Sequence, residues 1–109
     1  MIDYEALLAK YCADNQELLH ILLTHSRQVA NRALAILRLH PEWMERGEVD
    51  PVFVEEAAML HDIGVVLCNA PKIHCMGTHA YIEHGYLGAE ILRQEGLPKH
   101  AHIAERHTG

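Results

Sequence analysis

Four stretches of the sequence place histidines on the same helical face as their apolar residues. In each stretch the apolar side chains recur at steps of three and four residues, which is the spacing of one face of an α-helix. The histidines that continue these faces are His25, His61, His84, His100 and His107. The pattern therefore predicts a helical bundle whose core side carries several imidazoles.

Capping and breaking residues delimit the first two predicted helices. An opening helix over residues 4–11 precedes a long one, for which Asp14 stands in the cap position of a capping box. The long helix runs to Leu39, with a break expected near Thr24, and His40-Pro41 ends it. Residues 41–49 are expected to form a connecting loop.

The second half of the chain contains three further predicted helices. Asp50-Pro51 begins a helix that carries His61 and ends between residues 64 and 67. The next helix runs over residues 83–95 and is stopped by Gly96, and Pro98 begins the last. Residues 68–82 lack a sustained period and no stretch alternates like a β-strand, so an all-α fold is expected.

Composition and charge limit the functional classes. The 109 residues are 50% hydrophobic, which predicts one domain over residues 1–109 with an ordinary apolar core. A net charge of −6 with scattered basic residues argues against duplex nucleic acid or an anionic membrane as a partner. Neither a membrane span nor a signal peptide is visible, and three cysteines without a C-x-x-C pattern suit a reducing compartment, so a cytoplasmic location is expected.

Several imidazoles on core faces predict a metal site. A single core histidine is usually hydrogen-bonded to a carbonyl, but each of several converging imidazoles needs partners for two nitrogens. An unpaired buried polar group costs about 1–3 kcal/mol. A metal ion removes this cost, because neutral imidazole ligates through one nitrogen and donates through the other. Asp62, next to His61, supplies an anionic ligand.

Three sequence segments follow His25 in a recognisable order. They are His61-Asp62-Ile63-Gly64, the run HGYLGAE over residues 84–90, and RHTG over residues 106–109. The ordered set resembles the HD-domain (HDIG) superfamily of metal-dependent phosphohydrolases. Within it, the set is similar to the HDIG proteins related to bacterial symmetrical dinucleoside tetraphosphatases. The resemblance covers residues 22–109 and implies an HD-domain-like helical bundle.

The resemblance also implies roles for individual residues. It makes His25, His61 and Asp62 ligands of a first metal and His84 and His107 ligands of a second, with Asp62 bridging the two and acting in catalysis. The family pattern closes with a further aspartate on a later helix, whereas Asp62 is the last aspartate of this chain. We therefore expect the chain to lack the last helix or helices of the domain.

The expected chemistry is metal-dependent hydrolysis of a phosphoester or phosphoanhydride, with a nucleotide as the expected substrate. Imidazole-rich ligation suits Fe, Mn, Ni or Zn better than Mg, and the resemblance favours Fe or Mn, as one or two ions. A bound metal lowers the pKa of water from about 15.7 to about 7, so metal-activated hydroxide is the expected nucleophile.

Two other classes of function stay open at this point. A di-iron protein that handles or senses oxygen would generally contain carboxylates from several helices, but Asp62 is the only carboxylate on the histidine faces. A non-catalytic HD-fold module that binds or regulates is the other alternative.

The segment after the HDIG residues is expected to form a rim of the site. It would contact substrate through Lys72, His74 or His79, or else be an exposed loop without a role. A structural zinc site made with Cys68 and Cys75 is disfavoured, because the spacing matches no common zinc finger. Four histidines outside the implied ligand set are expected at the surface or at helix ends, namely His20, His40, His100 and His102.

Overall fold

A computed structural model describes residues 2–107, and helices dominate this part of the chain. The helices are α1 (Tyr4–Cys12), α2 (Gln16–Arg38), α3 (Pro41–Glu45), α4 (Pro51–Leu60), α5 (His84–Gln94) and α6 (Pro98–Arg106). The predicted all-α class is confirmed.

The connection between α4 and α5 is built from short elements. It contains the 3-10 helices Ile63–Leu67, Pro71–Ile73 and Tyr81–Glu83, and the strands β1 (Asn69–Ala70) and β2 (Cys75–Met76). The two strands pair antiparallel. The expectation that this segment lacks strands is therefore wrong, because a pair of two-residue strands is too short to produce an alternating pattern.

Four predicted details of the helices are corrected by the structure. The side chain of Asn15, and not Asp14, caps α2 by accepting from the N–H of Leu18. Helix α2 continues without a break past Thr24, since local propensity is a weak preference that tertiary packing overrides. The expected loop over residues 41–49 begins with α3, because Pro41 is preorganised for a first helical position. Helix α4 ends at Leu60, so that His61 and Asp62 lie just beyond it.

The helices pack around one buried apolar cluster. Helix α2 packs on α4, α5 packs on α6 and on the 3-10 helix Ile63–Leu67, and α4 also contacts α6. Leu8, Leu60 and Leu92 come from three different helices and are fully buried in this cluster. Each contributes about 1.5–3 kcal/mol by leaving water. That residues 1–109 form a single domain stays a prediction.

The glycine of the HDIG segment lies directly against α5. A Cβ atom at Gly64 would collide with the backbone oxygen of His84 and the backbone nitrogen of Gly88. Glycine therefore allows the backbone of the HDIG segment to touch α5 without an intervening side chain. This contact places the first residue of α5, His84, beside Asp62. Within residues 2–107, no helix combines the length and the apolar character needed to cross a bilayer.

Candidate metal centre

Three of the predicted ligand histidines lie at helix ends. His61 is the C-terminal cap of α4, His84 is the first residue of α5, and His107 is the C-terminal cap of α6. His25 comes from α2, well inside that helix. Backbone carbonyls in the last turn of a helix lack intrahelical partners, so a side chain located there can bind one.

The same local hydrogen bond orients each of these three imidazoles. The Nδ1 atoms of His61, His84 and His107 contact the carbonyl oxygen three residues earlier in the chain, at Ala58, Tyr81 and Ala104. A carbonyl oxygen can only accept, so Nδ1 carries the proton and donates. In the neutral imidazole, Nε2 then holds a lone pair, and this is the tautomer that ligates a metal.

All four histidines direct Nε2 at the carboxylate of Asp62. His25 and His61 each place Nε2 3.1 Å from Oδ2. His84 and His107 place Nε2 3.2 and 2.9 Å from Oδ1. The carboxylate thus lies between two pairs of imidazoles, one pair at each oxygen. We call His25, His61, Asp62, His84 and His107 the histidine–aspartate centre.

The backbone turns sharply where Asp62 enters the centre. Asp62 has φ −102° and ψ 12°, in the bridge region where many active-site residues lie. On a continuous helix, consecutive side chains diverge by ~100°. Because α4 ends at Leu60, this divergence does not apply, and the side chains of His61 and Asp62 face the same point.

The donor set of the centre fits a cation. The Nε2 atoms of His84 and His107 lie only 3.0 Å apart, although both of their Nδ1 atoms already donate to carbonyls. Two lone pairs at this distance repel each other, and they also face the lone pairs of a carboxylate. A metal ion or extra protons would remove this repulsion, and imidazole with carboxylate is a common ligand set for divalent transition metals. Within residues 2–107, two groups could hold an ion: His25, His61 and Asp62, and Asp62, His84 and His107.

The pKa shifts in the centre have the same origin. Burial would raise the pKa of the Asp62 carboxyl, but the hydrogen bond and charge of His61 and the charges of His107 and His84 hold it well below its ordinary value. Burial would lower the pKa of His61, but its hydrogen bond to Asp62 and the negative charge there raise it. Both shifts favour positive charge around an ionised carboxylate.

The structure therefore brings all five predicted residues together, with different access to solvent. The side chains of His61 and His84 are 11% and 9% exposed. The side chain of His25 is 52% exposed. The centre is closed on the side of α4 and α5 and open on the side of α2. That these five residues act as ligands stays a prediction.

The loop residues predicted to bind substrate lie elsewhere. Lys72, His74 and His79 are exposed, and none of them belongs to the two groups above or lines the cavity next to the centre. His79 contacts Glu83 through Nδ1 at 3.2 Å. Their substrate role stays a prediction. From the same segment, Ile73 and Tyr81 do line that cavity.

The cysteines of this segment are buried and engaged with the backbone. The thiol of Cys68 donates to the carbonyl oxygens of Gly64 and Ala80, at 3.6 and 3.4 Å. The thiol of Cys75 donates to the carbonyl oxygen of Ile73, and burial raises the pKa of Cys75 to about 11. Neither thiol belongs to a group of described residues that could hold an ion. The geometry therefore does not favour the zinc alternative.

A second buried polar pair lies outside the centre, and the sequence did not predict it. His100 lies in the first turn of α6, which is one of its two expected places, and it is buried rather than at the surface. Its Nε2 is 3.0 Å from Oε1 of Glu56, which is buried on α4, and Oε2 of Glu56 accepts from the N–H of Ile2 at 2.8 Å. His100 precedes His107 by seven residues on one helical face, and this spacing was the available signal. The pair links the two helices that carry His61 and His107.

We expect Glu56→Leu to destabilise the protein by about 1–3 kcal/mol at neutral pH, because it leaves the donors of Ile2 and His100 without an acceptor. Burial opposes ionisation of Glu56, but the hydrogen bonds from Ile2 and His100 lower its pKa. The stabilisation that ionised Glu56 gives to the fold is therefore complete above the unfolded-state pKa of about 4.3. It is lost as the pH falls through the native pKa of Glu56. Denaturant unfolding of both proteins across this pH range measures the difference.

The control for this prediction is the double variant Glu56→Leu/His100→Leu. The two residues act on each other, so the double variant should lose little more stability than Glu56→Leu alone. A difference between wild type and Glu56→Leu that does not shrink in acid would contradict the pairing.

The fold and the centre together define a class: an all-α protein with a partly buried histidine–aspartate cluster whose geometry suits a divalent metal. Comparison with known proteins identifies the family. Residues 22–109 match the HD domain family, and the chain belongs to it. This family includes metal-dependent hydrolases, and HD domains typically bind divalent metals.

A relative and the solved structures add little about function. An uncharacterized protein of Methanocaldococcus jannaschii, MJ0778, is 48% identical over 63 residues, which are 57% of this chain and 31% of that protein. The matched part thus spans less than a third of the relative. No solved structure matches the chain.

Proposed function

We propose that this protein is a metal-dependent phosphohydrolase that cleaves a phosphoester or phosphoanhydride, with a nucleotide as substrate. One observation carries the proposal: the Nε2 atoms of four imidazoles contact the two oxygens of one buried carboxylate. Groups with perturbed pKa values concentrate at functional sites. Membership in the HD domain family supports the same chemistry.

The centre has residues for one or two ions. His25, His61 and Asp62 would hold one, and His84 and His107 would hold a second together with the other oxygen of Asp62. Iron or manganese is the proposed metal, with nickel and zinc next, because imidazole-rich sites suit them better than magnesium. When bound, such a metal acidifies water and attracts the oxygens of a phosphoryl group.

The residues of this chain prepare the centre for that chemistry. The carbonyls of Ala58, Tyr81 and Ala104 fix three imidazoles in the ligating tautomer, so no rotation is needed when a metal binds. Asp62 supplies the one negative charge of the centre, which leaves bound divalent metal with a net positive charge to attract an anionic phosphate. The open side at His25 is where substrate would enter.

The finer substrate proposal is a nucleotide, with dinucleoside tetraphosphates included because of the resemblance noted in the sequence. Symmetrical cleavage of such a compound gives two nucleoside diphosphates and no inorganic phosphate. An assay that detects phosphate alone would miss it, so products must be separated by chromatography.

The test is metal reconstitution followed by a substrate panel. The purified protein is stripped with a chelator and refilled separately with Mn²⁺, Fe²⁺, Ni²⁺, Zn²⁺ or Mg²⁺. It is then assayed on nucleoside monophosphates, nucleoside diphosphates and a dinucleoside tetraphosphate. We expect turnover with Mn²⁺ or Fe²⁺ and a loss of at least about 100-fold in His107→Ala. The matched control is His102→Ala, an exposed histidine on the same helix.

Two results would overturn the proposal in different ways. If wild type binds metal and His107→Ala does not, but nothing in the panel is cleaved, the protein is a non-catalytic binding module. If metal content is the same in wild type, His107→Ala and His102→Ala, the centre does not hold the metal. Optical absorption of aerobically purified protein tests the di-iron alternative.

A further inference from the structure

An apolar cavity of about 230 Å³ opens directly beside the histidine–aspartate centre. Its floor contains His25 and Asp62, so whatever fills it touches the centre. Its walls come from α2 and from the segment between α4 and α5, and they consist of Leu18, Ile21, Leu22, Val65, Ile73 and Tyr81. We call this cavity the apolar cleft.

The charges around the apolar cleft exclude an anionic occupant. Among the described lining residues there is no lysine or arginine, and beyond His25 and Asp62 the lining is apolar apart from the hydroxyl group of Tyr81. Away from the centre, a phosphate chain would be desolvated without cationic partners, which is unfavourable. The part of a ligand that lies in the apolar cleft must therefore be uncharged and largely apolar.

The size and the walls of the apolar cleft favour a single ring system. Its volume, about 230 Å³, lies below the roughly 300–1,000 Å³ of pockets that enclose drug-sized ligands and suits one ring system. Tyr81 contributes an aromatic ring to the wall, and the centroid of this ring lies 4.5 Å from that of His84. Aromatic side chains bind planar rings by stacking, and bases of every kind have such a face.

The opposite side of His25 is chemically different. There a more open groove is lined, within residues 2–107, by His25, Gln28, Val29 and Arg32. Arg32 is exposed, and it supplies the positive charge of this groove. The centre thus has an apolar side and a polar side, and a substrate that fits both must be asymmetric.

We propose that the apolar cleft binds the uncharged ring of a monophosphate ester whose phosphate lies at the histidine–aspartate centre. The substrate class is then a ring-bearing organic monophosphate, such as a nucleoside monophosphate. That the phosphate lies at the centre rests on the proposed function. That the ring lies in the apolar cleft rests on the shape and charge of the cleft.

The experiment compares three variants on α2. Ile21→Phe fills the apolar cleft with a larger side chain, while Ile36→Phe makes the same change at an exposed position on the same helix, 46% exposed in the native protein. Arg32→Gln removes the cation of the groove on the other side of His25. Each protein is first checked for an unchanged thermal midpoint and metal content.

Binding is measured first, without turnover. Ligand-observed NMR follows the phosphate-free compounds phenol and adenosine with the metal-loaded and the metal-free protein, with inorganic pyrophosphate as the anionic comparison. We expect both ring compounds to bind wild type, Ile36→Phe and Arg32→Gln equally, and to bind Ile21→Phe at least about tenfold more weakly. Pyrophosphate binding should require metal and should be the same in Ile21→Phe.

Kinetics on p-nitrophenyl phosphate and on nucleoside monophosphates complete the test. KM should rise about tenfold in Ile21→Phe and stay unchanged in Ile36→Phe. If Arg32→Gln raises KM and Ile21→Phe does not, the organic part lies on the polar side and the inference is wrong. If ring binding is weakened in Ile21→Phe but no phosphate ester is cleaved, the apolar cleft stands as a ring-binding site and the proposed function fails.

Discussion

Asp62→Asn should remove metal from the histidine–aspartate centre and abolish phosphohydrolase activity. Each oxygen of Asp62 contacts two imidazole nitrogens, so one substitution acts on all four histidines. Asparagine keeps the shape of the side chain, but its amide group is neutral: its NH2 donates to the imidazole lone pairs on one side, while its oxygen still only accepts on the other. Since the NH2 relieves part of the repulsion and the size of the side chain is kept, the fold should persist.

Mutation of a residue that only supports a metal ligand lowers metal affinity by up to roughly 100-fold. Because Asp62 is itself a proposed ligand, we expect a larger loss of affinity in Asp62→Asn. Metal content after dialysis and the dissociation constant for Mn²⁺ measure it directly, and product chromatography measures turnover. The matched control is Asp50→Asn, because Asp50 caps α4 and asparagine caps a helix equally well. It should keep both metal and activity.

His25→Ala provides a second route to the same result should Asp62→Asn fold poorly. The side chain of His25 is half exposed, so its removal leaves little unfilled space, and His20→Ala on the same helix is its control. If both Asp62→Asn and His25→Ala keep wild-type metal content and activity, the proposal that the centre holds the metal is wrong.

Gly64→Ala should destabilise the protein by about 3 kcal/mol or more. The added methyl group would collide with backbone atoms of His84 and Gly88, which cannot rotate away as a side chain can. Helix α5 would have to move off the HDIG segment and take His84 with it. For a domain of this size, the loss corresponds to a fall in Tm of about 12–24 °C, which thermal unfolding with and without metal would record.

Gly96→Ala separates this steric effect from the intrinsic effect of losing a glycine. Gly96 has φ +78°, and a methyl group added there would meet no atom within 4 Å, so its replacement costs only the strain of that conformation, about 1–2 kcal/mol. Stabilities of Gly64→Ala and Gly96→Ala that agree within about 0.5 kcal/mol would show that the close packing of α5 on Gly64 is wrong.

Much of the helical architecture was predictable because its signals are local. Asp50 before Pro51 marked the start of α4, and Gly96 marked the end of α5 where a positive φ is required. Where local signals competed, prediction failed: Asp14 and Asn15 are both good caps, and only the hydrogen bond to Leu18 shows which one is used.

The sequence by itself determined the helical class and most helix boundaries, since periodicity and capping act within a few residues along the chain. The family resemblance in its motifs picked out the five residues that the structure brings together. Tertiary structure alone decided what depends on how helices cross: the pairing of Glu56 with His100 and the apolar cleft between α2 and Tyr81. It also decided the division of four imidazoles between the two oxygens of Asp62. Distances between side chains on different helices follow from packing of the whole core, which no short stretch of sequence encodes.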